Sequence, residues 1–167
     1  MKKLLLILFL VSIVSCKSKQ TTNVKKTNET NDIETTTEVT TRFEKMSFKD
    51  VSVQKSTLAL NIGKRLLEAC NTSKFKAFSK NEATDKVILN ATKEKISKTC
   101  QKILTRNGKF IDLNLIEIIQ DHETENLLFR YKIEYEKKYF ERELFITVNS
   151  DGKVSEIKTK EIPKKPM

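Results

Sequence analysis

Leu127-Leu128-Phe129-Arg130-Tyr131-Lys132-Ile133-Glu134-Tyr135, then Glu136 to Tyr139, then Phe140-Glu141-Arg142-Glu143-Leu144-Phe145-Ile146-Thr147-Val148, is the stretch that decides the fold. Every second residue is apolar, apart from Arg142, and the positions between them are mostly charged. A period of two marks strands with one buried face. If Lys137-Lys138 is a two-residue turn, Phe129 faces Ile146, Tyr131 faces Leu144 and Ile133 faces Arg142. The next connection, Asn149-Ser150-Asp151-Gly152-Lys153, carries the Asp-Gly pair favoured in tight hairpins and places Ile157 opposite Ile146. Both hairpins put their apolar sets on the same face with no slip, which is how a buried face specifies register. Upstream, Ile111, Leu113, Leu115 and Ile119 alternate along a further strand. The expectation is a four-stranded antiparallel meander.

Before Gly108 the period is helical. Leu58, Ile62, Leu66, Ala69 and Cys70 recur at helical spacing and predict a helix over Thr57 to Asn71. Ser79-Lys80-Asn81-Glu82 has the form of a capping box ahead of a short helix bearing Val87, Ile88 and Leu89. Thr92 can cap a third helix over Lys93 to Asn107, with Gly108 ending it in a left-handed conformation. Ile96, Cys100, Ile103 and Leu104 form its apolar stripe, and Lys95, Lys98, Lys102 and Arg106 its opposite, basic face. Helices followed by strands give an α+β class, one domain over residues 42–162 and a flexible tail at 163–167.

The 167 residues carry 32 Lys+Arg against 22 Asp+Glu, with one His, three Gly, two Pro and no Trp. One His and three Gly exclude multi-histidine metal centres and the Gly-rich phosphate loops, so no metal and no cofactor is expected. The positive charge is concentrated: residues 42–110 hold 16 basic and 6 acidic residues, whereas residues 111–167 hold 10 and 12. A basic helical layer suits an acidic protein, an acidic glycan or anionic lipid. Nucleic acid is not expected, because no aromatics interleave with the basic helix face to stack bases.

The chain opens with Met1-Lys2-Lys3 and an apolar run from Leu4 to Val14, too short for a membrane-spanning helix and of the pattern of a secretory signal. Ile13-Val14-Ser15-Cys16 resembles a bacterial lipobox. That resemblance implies a lipoprotein signal peptide over residues 1–15, diacylglyceryl on the Cys16 sulfur and often an acyl chain, such as palmitate, on the new amine. Two or three chains anchor stably where one does not. Lys17-Ser18-Lys19 lacks the acidic residues that resemble retention or surface-export signals, so the expected address is the cell envelope, at the outer membrane facing the periplasm. Residues 17–41 contain nine Thr, four Lys, four acidic residues and three aliphatics, a composition that reads as a disordered tether.

With Cys16 consumed by lipid, Cys70 and Cys100 remain, an even number in an oxidising compartment. Each lies on the apolar stripe of its helix, and a structural disulfide is expected; two buried free thiols are the alternative. Glu68-Ala69-Cys70 in the first helix, Cys100 in the third, Gly108 before the first long strand and the terminal Asp151-Gly152-Lys153-Val154-Ser155-Glu156-Ile157 together resemble small exported domains of the nuclear transport factor 2-like, cystatin-like superfold, over residues 55–160. That resemblance implies a cup between sheet and helices, and covers isomerases, dehydratases, binding modules and assembly domains alike. The ligand-site candidates on the expected inner face are Glu117, Tyr131, Tyr135 and Arg142, with Glu117 expected beside Phe129. No catalytic constellation emerges. The expected function is a lipid-anchored envelope binding or accessory module rather than an enzyme. A cavity enzyme of isomerase or hydratase type needs Glu117 and a tyrosine to converge on one pocket, and an inhibitor or immunity-type lipoprotein would use the basic face.

Overall fold

The computed structural model describes residues 41–163. Residues 1–40 and 164–167, and with them the expected signal peptide, Cys16 and nearly all of the tether and tail, lie outside the described residues. The order is β1 (Phe43–Met46), α1 (Val53–Thr72), α2 (Asp85–Asn90), α3 (Lys93–Asn107), β2 (Phe110–Asp121), β3 (Asn126–Tyr135), β4 (Glu141–Val148) and β5 (Val154–Ile162). The class is α+β, and the strands form one antiparallel sheet in the order β1-β2-β3-β4-β5. The sheet therefore has five strands and not four, and one of them precedes the helices.

The deciding stretch behaves as its period dictates. Phe129 pairs with Ile146, Tyr131 with Leu144 and Ile133 with Arg142, and Ile146 pairs with Ile157. Phe129, Leu144, Ile146 and Val148 are fully buried and Tyr131 is 2% exposed. The β3–β4 connection is longer than a two-residue turn: ladder pairing stops at Ile133–Arg142, and residues 136–140 loop out. In the β4–β5 turn Gly152 takes φ +74°, a left-handed value that side chains resist.

Strand β2 departs from its expected alternation. Register shifts occur between Phe110 and Asp112 and between Leu115 and Glu117. Each bulge adds one residue and reverses which parity faces the core. Phe110, Leu113 and Ile118 are buried, while Ile111 is 58% exposed. Glu117 consequently pairs with Arg130, and Ile118 takes the place opposite Phe129. β1 covers only Ile118 to Asp121 of this strand. At the far end the Asn71 amide stands in for a neighbouring strand, donating to Phe110 O at 2.7 Å and accepting from Phe110 N–H at 2.9 Å. That satisfies the edge-facing backbone groups of Phe110, which would otherwise be open to pairing.

Helix α1 is longer than expected and lies close against the sheet. A Cβ on Gly63 would come within 2.8 Å of Leu113 Cδ1 and 2.9 Å of Leu144 Cδ2. Ser79 and Glu82 form the capping-box bonds, with Ser79 N–H and Oγ donating to Glu82 Oε2 at 2.8 and 3.0 Å. They close a turn and not a helix: α2 starts after Thr84, whose N–H donates to Val154 O. α3 runs as expected, with Lys95 N–H donating to Thr92 Oγ1 at 3.4 Å. Gly108 ends it at φ 74°, ψ −162°, positive in φ but extended rather than helical in ψ. Cys70 and Cys100 are joined by a disulfide, with Cα atoms 4.7 Å apart, bolting α1 to α3.

Candidate functional site: a basic groove beside the third helix

Lys98, Lys102 and Arg106 are four residues apart, so they form one stripe along α3. Its apolar side, Cys100 and Ile103, is buried against the core. The stripe borders a groove of about 670 Å³ whose lining includes all three side chains and, from β4, Arg142. Two candidate sets that are 36 residues apart in the chain at their nearest members, Arg106 and Arg142, meet here. Arg142 is on the inner sheet face, opposite Ile133 and Glu161, with a side chain 17% exposed.

The charge balance of the groove is uneven. Arg106 Nη2 reaches Glu161 Oε2 at 3.2 Å and Arg142 Nη1 reaches the same oxygen at 3.8 Å, so one carboxylate serves two guanidinium groups. Arg142 Nη2 donates to Thr159 Oγ1 at 3.4 Å, and its Nε is buried with no partner among the described residues. Arg106 also lies over the Phe140 ring, 4.6 Å from its centroid. The Lys98 and Lys102 ammonium groups have no hydrogen bond or ion pair among the described residues. The fourth basic-face residue, Lys95, belongs elsewhere: its Nζ donates to Leu89 O at 3.1 Å and Asn90 Oδ1 at 3.3 Å, closing the end of α2.

Tyr131 and Tyr135 are both on the inner face and buried. Burial pushes the Tyr135 phenol up to about 12, with the charge of Arg142 pulling the other way, and raises Tyr131 as well. The Tyr135 hydroxyl and both polar side-chain atoms of Asn107 are buried without partners among the described residues. They lie at the same end of the sheet as Arg142, since Asn107 leads through Gly108 and Lys109 into Phe110, which pairs with Tyr135.

Glu117 does not join them. The second bulge turns it to the outer face, where Arg130 Nη1 donates to its Oε1 at 2.6 Å. The same guanidinium makes a two-pronged bond to Glu143, Nε to Oε2 at 2.7 Å and Nη2 to Oε1 at 2.8 Å. The Arg130 hydrogen bond holds the Glu117 carboxyl below its usual range. Sequence reasoning missed this cluster. Its signal was present, because Arg130 and Glu143 share the charged parity of β3 and β4, but the bulge that brings Glu117 to them has no sequence mark.

The cup expected between sheet and helices is filled over the middle of the sheet, where Gly63 meets Leu113 and Leu144. His122 Nε2 is 2.8 Å from Glu44 Oε2, tying the β2–β3 loop to β1. Among the described residues no group of three or more His, Cys, Asp or Glu is placed to hold a metal ion, and no helix is long and apolar enough to cross a membrane. No protein-family model, no curated protein and no solved structure matches this chain.

Proposed function

We propose that this protein is a lipid-anchored, non-enzymatic binding module of the cell envelope, tethered through Cys16 and holding an anionic ligand in the groove of Lys98, Lys102, Arg106 and Arg142. The observation that carries the reading is the excess of charge there: four cations converge, and among the described residues Glu161 alone answers them. Cations left unpaired along a groove raise the local potential and attract anions. The rival, a cavity enzyme, loses its best pair, because Glu117 and the two tyrosines are on opposite faces of the sheet. The helical layer on an antiparallel sheet is in keeping with a cystatin-like domain, and the lipobox-like Ile13-Val14-Ser15-Cys16 supports the anchor and the outer-membrane, periplasm-facing address.

The test is titration of the full chain, in detergent micelles, with a sulfated hexasaccharide as a generic polyanion. Lys98→Glu/Lys102→Glu should weaken binding at least tenfold, and rising salt should weaken the parent protein's binding. Unchanged affinity in the double reversal would refute the groove. Anchoring is checked separately: Cys16→Ala should abolish incorporation of labelled palmitate.

A further inference from the structure

The groove does not end at Arg106. Beyond it, residues 136–140 loop out between β3 and β4 and present Tyr139, 72% exposed, and Phe140, 38% exposed. A second hollow of about 350 Å³ is lined by Tyr139, Phe140, Glu161, Ile162 and Pro163. Arg106 joins the two, resting on Phe140 and bonding Glu161. The continuous surface therefore runs from lysines through two arginines to exposed aromatics.

Its place in the fold narrows the partner. The described chain enters β1 at Phe43, opposite Asp121 at the far end of β2. In β4 the entry end corresponds to Val148 and the groove end to Arg142, six residues away, or roughly 20 Å along a strand. The groove thus opens at the end of the sheet opposite the one where the described chain enters β1. Attraction to anionic lipid needs only diffuse positive charge close to the bilayer. Arg with exposed Tyr and Phe is instead the composition of protein interfaces, where aromatic and Arg side chains dominate affinity.

We propose that the groove and the Tyr139–Phe140 loop together receive an acidic polypeptide segment of a partner protein. Its carboxylates lie along Lys98, Lys102 and Arg142, and an apolar side chain packs on the two aromatics. This rests on the anion-binding reading above and adds to it the class of ligand and a second, apolar contact.

The experiment pans a random twelve-residue peptide library against the full chain in micelles, beside phosphatidylglycerol vesicles and the sulfated hexasaccharide as competing probes. Enrichment of sequences combining Asp or Glu with an aromatic or aliphatic residue is expected. Affinity for the best of them should fall at least tenfold in Lys98→Glu/Lys102→Glu and about fivefold in Tyr139→Ala; both variants alter exposed side chains and leave the core intact. Acidic peptides that bind Tyr139→Ala undiminished would overturn the aromatic contact. Binding of vesicles or hexasaccharide through the lysines, with no acidic peptide enriched, would overturn the polypeptide partner while leaving the anion groove standing. Failure of every probe would remove both.

Discussion

Two charge clusters, one on each face of the sheet, are built on opposite principles. On the outer face Arg130 is held by Glu117 and Glu143 through three hydrogen bonds of 2.6 to 2.8 Å. In the groove Arg106, Arg142, Lys98 and Lys102 have one carboxylate between them among the described residues. A cation enclosed by carboxylates has no capacity left for a ligand, and its removal leaves half-buried charges unpaired. A cation without a partner contributes nothing to stability by pairing and remains available. The balance of signs, more than the number of charges, separates a cluster closed on itself from one left open to an anion.

The comparison is tested most severely by the disulfide, because α3 carries the groove wall and Cys100 fastens α3 to α1. The bond closes a loop with a sequence separation of 30, for which chain entropy gives about 3.5 kcal/mol. Cys70→Ala/Cys100→Ala should lower stability by about that amount in urea titrations and loosen ligand binding in the groove. A loss under about 1 kcal/mol, on the same chain-entropy scale, would mean that packing alone fixes α3.

Next is the direct contrast. Arg130→Met strands Glu143, whose side chain is 10% exposed, and leaves Glu117, at 18%, with Lys45 at 3.5 Å as its remaining ion pair among the described residues. Breaking a fully buried pair costs 3–5 kcal/mol; with Arg130 a third exposed, about 2 kcal/mol is expected here. Lys98→Glu/Lys102→Glu should stay within about 0.5 kcal/mol, as surface changes usually do. Equal losses in the two variants would erase the distinction between clusters.

The two clusters also differ in how far the sequence exposed them. Lys98, Lys102 and Arg106 follow from helical spacing, and Arg142 from the uninterrupted alternation of β4. What local pattern cannot carry is the placement of α3, fastened to α1, that sets Arg106 against Glu161 of β5 and beside Arg142 of β4. On the outer face the obstacle was β2: the bulges at Ile111 and Ile116 leave an apolar alternation that looks regular, yet it points inward only at Leu113 and Leu115 and misplaces Ile111 and Glu117. β1 was invisible for another reason. Its residues Phe-Glu-Lys-Met are exposed or half-buried, so no periodicity marks them. Cys70 and Cys100 were legible because both occupy apolar helix positions, and reading Cys16 as the lipid site leaves them as a pair.

Gly63→Ala offers a smaller effect that decides whether the inner face is closed. The added Cβ would meet Leu113, Leu144 and Ile146 side-chain tips at 2.8, 2.9 and 3.1 Å. Overpacking costs typically 1–3 kcal/mol, offset by about 1 kcal/mol of helix propensity gained over glycine, so a net loss of about 1 kcal/mol is expected in the same titrations. A stabilised variant would show that the sheet–helix cup has room, and would reopen the inner face as a ligand site alongside the groove.

The last prediction concerns a third cluster, where charges are matched as on the outer face but exposed like the lysines of the groove. Arg42 donates to Asp121 through Nε at 3.1 Å and Nη2 at 3.0 Å and reaches Glu123 at 2.6 Å, pinning the start of β1. The Arg42 hydrogen bond holds the Asp121 carboxyl down from 3.8 to about 2. A carboxyl depressed in the folded state contributes stability that is present above its unfolded value and is lost as pH falls through its folded value. Between pH 5 and pH 4 the tie should therefore be intact, and toward pH 2 it should weaken while the guanidinium stays charged. The backbone consequence is local: His122 N–H donates to Arg42 O at 2.9 Å, and β1 pairs only with Ile118 to Asp121. Hydrogen-exchange protection of the β1 amides, taken relative to β4, should fall over that acid range in the parent and be low and pH-independent in Asp121→Asn. Protection that declines equally in β1 and β4 would assign the acid response to global unfolding and leave the matched, exposed cluster with no hold on the strand.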